Sequence, residues 1–273
     1  SNENPSFPGT CASEMTLLVQ DGPTFPSGIE AHLARFPPRK SGSCHFFDTL
    51  GQGRHPWLSF AERKEQMEYR IIDLEHWKRR EYFEHYRQAV PCIYSMTVQV
   101  DITNIRQKGY KLYPTMLYCL ATQVNRHEEF RMNIRPGGQL VCYDVLHPSY
   151  TVFHRESETF SSLWTLYTPD HPAFCRRYAQ DQQEFGAIEK LEAKPGQPEN
   201  VFNVSMLPWA AFQGFHLQTQ GFDYLLPIFT MGRFQQKEGR CWLPLAIQVH
   251  HGVCDGFHVC RLVEELQDQL ESL

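Results

Sequence analysis

The sequence predicts an α/β (α+β) fold, a two-layer sandwich in which helices cover a mixed β-sheet. Three observations lead there. Residues 94–102, YSMTVQVDI, alternate apolar Tyr94, Met96, Val98, Val100 and Ile102 with Ser95, Thr97, Gln99 and Asp101, the period of a half-buried strand. Val259, Leu262, Val263, Leu266 and Leu270 form one helical stripe near the C-terminus. Between them, several strand-like runs and helical runs follow one another in a single chain.

In chain order, residues 75–90 place Trp77, Phe83, Tyr86 and Val90 at helical spacing, with Pro91 ending the run. The strand 94–102 comes next. Tyr113 to Val124 reads as a buried helix opened by Pro114, and 130–145 as a hairpin turning at Pro136, Gly137 and Gly138. YTVFH at 150–154 is a further strand, and Pro172 to Leu191 a helix. After the PGQPEN break come four expected strands at 201–205, 211–218, 227–235 and 241–250, the last two joined through the polar turn QKEGR. Asp255 stands where it can cap the final helix.

Residues 1–66 differ in being rich in Pro, Gly and Ser, without sustained periodicity. They read as an extension, either non-native or a docking arm anchored by Phe46, Phe47, Trp57 and Phe60, with Met67 as the ancestral start. Residues 67–273 are then the catalytic domain.

With 26 Lys and Arg against 31 Asp and Glu, the net charge of -5 offers no basic stripe for phosphates, which excludes nucleic acid as the main partner. Nine cysteines, an odd number without a CxxC pair and mostly among apolar neighbours, read as reduced and largely buried, which points to the cytoplasm. No run approaches the roughly 20 apolar residues of a membrane span. The N-terminal residues also lack the basic and apolar regions of a signal peptide.

The chemistry concentrates in QVHHGVCDGFH, residues 248–258. Two adjacent histidines end an alternating strand, so their roles differ. If the strand continues, His251 is in phase with Leu243, Leu245, Ile247 and Val249, while His250 lies opposite with Gln248 and is read as structural. An imidazole, with a free pKa of roughly 6.5, accepts a hydroxyl proton at neutral pH while that oxygen attacks a carbonyl. Asp255 follows four residues on. His250, His251 and His258 with Cys254 and Cys260 fit no usual zinc spacing, so no metal is expected.

QVHHGVCDGFHVCRLVEEL resembles the active-site signature of the chloramphenicol acetyltransferase family, which carries the histidine pair followed by CDGFH. DLEHWKRREYFEHYR, YTVFHRESETFSSLW, NVS followed by LPWAAF, and DYLLPIFTMGRF are similar to further family segments, so the resemblance runs from about Asp73 to Leu266. It implies the CoA-dependent acyltransferase fold and acetyl-CoA-dependent O-acetylation of chloramphenicol, giving antibiotic resistance, with acetyl-CoA as cosubstrate and no metal. His251 matches the general base, Ser205 the donor to the tetrahedral oxyanion, and Thr230 a threonine holding a water near it. Asp255 matches a structural carboxylate paired with an arginine at the position of Arg79; the adjacent Arg80 is not separated from it by helical phase. Tyr86, Tyr94 and Phe160 match aromatic residues of the acceptor pocket. The family is a homotrimer with sites between subunits, so His251 of one subunit is expected to face Ser205 and the pocket aromatics of its neighbour.

Two departures bear on the acceptor: Gly252 stands where Ala or Ser is usual, and Tyr94 where Phe also occurs, adding a hydroxyl to an apolar pocket. Two alternatives to chloramphenicol acetylation remain open at this point. One is a same-fold acyltransferase for another acceptor; the other is a non-catalytic trimeric binder of bulky apolar ligands.

Overall fold

Local periodicity becomes a layered structure in this computed structural model, which describes residues 68–217 and 223–273, all within the unit His55–Leu273. The reading of 1–66 lies outside the described residues. A short strand, β1 (Tyr69–Ile71), precedes α1 (Arg80–Glu84), a π-helical turn (His85–Ala89) and the long strand β2 (Ile93–Asp101). Then follow α2 (Thr103–Gln107), α3 (Leu112–Arg126), β3 (Met132–Ile134), β4 (Leu140–Tyr143), β5 (His147–His154) and β6 (Thr159–Trp164). The chain ends with α4 (His171–Phe185), β7 (Val201–Leu207), β8 (Ile228–Gly232), β9 (Gln235–Lys237), β10 (Arg240–His250) and α5 (Gly256–Ser272).

The main sheet runs β2-β10-β8-β7-β5-β6, with β9 pairing the start of β10. It is mixed: β7 pairs in parallel with both β5 and β8, and the other ladders are antiparallel. Alternation sorts its two faces. Leu243, Leu245, Ile247 and Val249 lie opposite Val100, Val98, Met96 and Tyr94 and, with Phe229, Met231, Phe202 and Val204, form the core face. Onto it pack Met116, Leu117, Leu120 and Val124 of α3 and the fully buried Val259, Leu262, Leu266 and Leu270 of α5. Each such side chain contributes about 2 kcal/mol of transfer free energy. The other face is polar, with Ser95, Thr97, Gln248, Thr230 and Ser205. The expected two-layer α/β sandwich with a mixed sheet is therefore the fold, and β1, β4 and β3 form a small second sheet.

Four expectations on individual elements change. The helix expected over 75–90 is only α1, because Asp73 turns the chain first, accepting from the Glu75 amide at 3.0 Å, and a π turn follows, closed by Val90 N donating to His85 O at 2.8 Å. The helix expected to reach Leu191 stops at Phe185, where Gly186 follows. It starts as its sequence suggests, with Asp170 accepting from Ala173 N at 2.7 Å and a proline in the first turn. The run 211–217 is irregular rather than a strand, its backbone held by side chains of the polar face: Phe215 N donates to Thr97 Oγ1 at 3.3 Å and Leu217 N to Gln248 Oε1 at 3.1 Å. The strand expected over 227–235 divides into β8 and β9. Among the described residues, no helix is long and apolar enough to cross a membrane. The seven described cysteines are free thiols, four of them buried.

Candidate active site

β10 ends at His250, so the phase argument for His251 fails at its premise: His251 lies in the turn between β10 and α5. Its ring still falls on the side of Val249, because Tyr94, registered opposite Val249, meets it edge-on with centroids 5.4 Å apart. From the other direction the π turn presents Tyr86 flat against the imidazole, 3.9 Å between centroids and 8° between planes. A π turn inserts one residue more than an α turn and so redirects the side chains that follow.

The turn itself is clamped at nearly every backbone group. His251 N donates to Cys92 O at 3.0 Å. Arg79 reaches over from the start of α1, its Nη2 donating to His251 O at 3.0 Å and its Nε to Gly252 O at 3.2 Å. The same guanidinium grips Asp255 with both forks, Nη1 to Oδ2 at 2.5 Å and Nη2 to Oδ1 at 2.7 Å. Geometry thereby decides between the two arginines: Arg80 pairs instead with Glu84 at the surface, 2.8 Å away. The Arg79 hydrogen bonds hold the Asp255 carboxyl below the usual carboxylate range. The Tyr94 hydroxyl does not sit loose in an apolar pocket; it donates to Cys254 O at 3.3 Å, and burial keeps the phenol neutral well above its usual range.

His250 is buried, and its Nδ1 accepts from Gly252 N at 3.0 Å, so its ring braces the same turn. A side chain at Gly252 would meet that ring: an added Cβ lies 3.0 Å from two of its atoms. The His251 Nδ1 lies 3.2 Å from Asp255 Oδ1, outside hydrogen-bond geometry, and is buried.

Ser205 and Thr230 are brought together by the sheet as register partners across β7 and β8, on its polar face. They are not brought to His251. Thr230 pairs with Ala246 of β10, five residues before His251. Ser205 thus lies two strands away from β10, level with Ala246, four residues before that strand ends at His250. Phe160 is farther across, on the edge strand β6 opposite Phe153, and is 52% exposed. Trp209, 56% exposed, packs edge-on against Phe153 at 4.6 Å, giving an open aromatic surface. Tyr86 and Tyr94 both contact the His251 ring of their own chain. A separate cavity of about 620 Å³ is lined by Tyr110, Lys111, His171 and Cys175 and by none of the nominated residues.

Sequence reasoning considered His258 only as a metal ligand. The structure gives it another place: its Nδ1 accepts from the Asp255 amide at 2.8 Å, and its Nε2 lies 3.5 Å from Glu129 Oε1. The spacing held the signal, because a side chain three residues after an N-cap is where a capping box reaches back.

The arrangement is thus a clamped imidazole at one end of the sheet, and a serine and threonine in register farther along it. The family model described as chloramphenicol acetyltransferase matches residues 67–267. Among curated proteins, a chloramphenicol acetyltransferase of Clostridioides difficile is 57% identical over 203 residues, 74% of this chain and 96% of that protein. One of Vibrio anguillarum is 52% identical over 208 residues, 76% of this chain and 96% of that protein. A solved chloramphenicol acetyltransferase structure aligns at TM-score 0.65 with 24% identity, covering 74% of this chain and all of that one, and shows the shared fold. A dihydrolipoamide acetyltransferase from Azotobacter vinelandii shares it at TM-score 0.53 and 19% identity, over 65% of this chain and 81% of that one. With its fold, its histidine turn and a match spanning residues 67–267, the chain belongs to the chloramphenicol acetyltransferase family.

Proposed function

We propose that this chain transfers the acetyl group of acetyl-CoA to a hydroxyl of chloramphenicol, conferring resistance to it. The observation that carries the proposal is the clamped His251 turn, found in a chain whose relatives at 52% and 57% identity are chloramphenicol acetyltransferases. His251 Nε2 takes the hydroxyl proton as the oxygen attacks the thioester carbonyl. The resulting oxyanion accepts from the Ser205 hydroxyl, a contact that lowers the barrier by about 3 kcal/mol. Thr230, beside Ser205, holds a water at the same charge. Collapse breaks the carbon–sulfur bond, and the thiolate leaves with the proton returned by His251, so no acyl-enzyme forms. Asp255 and Arg79 keep the turn in place without moving protons, and Tyr86, Tyr94 and Phe160 orient the acceptor.

The working unit in this reading is a homotrimer, with the His251 turn of one copy meeting the Ser205 and Phe160 region of the next. The placement of Ser205 two strands from β10 and level with Ala246 supports it, as does the exposed aromatic surface of Phe153, Phe160 and Trp209. We assign the transferase to residues 67–273, with 1–66 as an appendage, and place the protein in the cytoplasm on the strength of its free thiols.

The test is thiol release from acetyl-CoA on adding chloramphenicol. Release that disappears in His251→Ala supports the proposal. An active His251→Ala protein would sink the mechanism, and turnover of another alcohol, amine or lipoyl thiol with none of chloramphenicol would replace the acceptor.

A further inference from the structure

We infer that His258 is a positioning residue for the proposed acetyl transfer, holding the His251 turn through the backbone of Asp255, and that it does so only as the neutral ring protonated at Nε2. The inference rests on the reading of His251 as the base.

The tautomer follows from what faces each nitrogen. A backbone N–H is always a donor, and that of Asp255 points at His258 Nδ1 from 2.8 Å, so Nδ1 carries a lone pair. The remaining proton is then on Nε2, toward Glu129 Oε1 at 3.5 Å. Glu129 is itself held by Arg261, 3.3 Å from its Oε2. Asp255 is the N-cap of α5, and its carboxylate is the anchor on which Arg79 swings across to the carbonyls of His251 and Gly252. A shift of the Asp255 backbone therefore moves Arg79 and, through it, the catalytic ring.

A second proton on His258 would set N–H against N–H at Asp255. The charged groups around the ring are Glu129 from the 3-10 turn at Glu128–Phe130, Arg79 from the start of α1, and Asp255 and Arg261 on its own side. Burial and the two arginines oppose the proton while the two carboxylates favour it, and burial dominates, so the ring is held below its ordinary range. Protonation of His258 thus steepens the acid end of the rate profile.

Three variants separate this role from helix capping alone. His258→Asn keeps an acceptor near the place of Nδ1 but cannot be protonated. It should hold kcat within about two-fold of the parent while the acid limb of log kcat relaxes from more than one proton to one. His258→Leu has no acceptor and should lower kcat at least ~10-fold with both KM values within about two-fold, measured well below its melting temperature. Glu129→Gln removes a carboxylate that favours the imidazolium and should move the acid limb to lower pH with the plateau unchanged. Hydrogen exchange at the Asp255 amide gives a readout independent of turnover: protected in the parent and in His258→Asn, fast in His258→Leu or whatever part of it folds. Slow exchange and parental kcat in His258→Leu would overturn the inference, as would His258→Asn behaving like His258→Leu or an unmoved acid limb in Glu129→Gln. A parent without thiol release but with this exchange pattern overturns the proposed activity and leaves the Asp255 anchor standing.

Discussion

Tyr86 lies flat on the His251 imidazole, 3.9 Å between centroids, at the point where an inserted π turn replaces α-helix. The phenol ring limits the imidazole to one orientation without engaging its nitrogens. Tyr86→Phe preserves the stacked face and is expected to retain most activity. Tyr86→Ala frees the ring, and kcat/KM should fall about 10-fold, equivalent to ~1.4 kcal/mol. Steady-state kinetics of the two variants, compared with the parent, check this, and equal rates for Ala and Phe would remove the role.

Arg79 makes four hydrogen bonds from one guanidinium, to His251 O, to Gly252 O and twice to Asp255. A lysine ammonium cannot reproduce this planar fork. Arg79→Lys is expected to cost about 2 kcal/mol of stability and to lower kcat about 10-fold. Arg80→Lys, at the exposed pair with Glu84, should change stability by less than about 0.5 kcal/mol. Denaturant melts of both variants decide the comparison.

Asp255 has its carboxyl depressed first by the hydrogen bonds from Arg79. A depressed acid contributes stability that is fully present above its unfolded value, near pH 4, and is lost as pH falls through the folded value. The stability gap between the parent and Asp255→Asn should therefore be constant from about pH 5 to 7 and shrink below about pH 4. Thermal melts across that range test it; a gap of the same size at pH 3 speaks against the pairing.

Ser205 is in register with Thr230 two strands from the end of β10, and the proposed site draws His251 and Ser205 from two copies. Ser205→Ala alone should lower kcat by about 100-fold or more. Mixed by co-expression with His251→Ala at equal amounts, the two inactive chains should regain about a quarter of parental activity, the share of interfaces that receive both intact side chains from random pairing. No recovery from assembled mixed trimers would place both residues of each site in a single chain.

Residues 67–273, expressed alone, should retain acetyl transfer with kcat and both KM values within about two-fold of the full chain. A truncated protein that assembles without turnover would make 1–66 part of the catalytic machinery.

Much of this molecule was legible in the sequence because its information is local. Alternation placed β2 and β10, since one face of each strand is buried against helices. The stripe from Val259 to Leu270 placed α5, and Pro114 marked the entry to α3. The histidine pair with Asp255 likewise sits within one short segment, so its spacing was visible. The rest depended on contacts between distant residues. Arg79 rather than Arg80 reaches Asp255, 176 residues on, because α1 begins only after Arg79 and leaves that residue free to turn toward α5. Residues 211–218 read as a strand by composition, but over the described 211–217 the amides of Phe215 and Leu217 donate to the Thr97 and Gln248 side chains. Strand β6 escaped notice because Thr159 and Phe160 are exposed and the buried Ser161 is polar, so the edge strand shows no apolar alternation. The sequence by itself determined the layers and the family to which the His251 turn belongs, since periodicity and motif act over a few residues. Only the tertiary structure decided how that turn is clamped and how far it stands from Ser205, because strand order in a sheet is set by pairing across the whole chain.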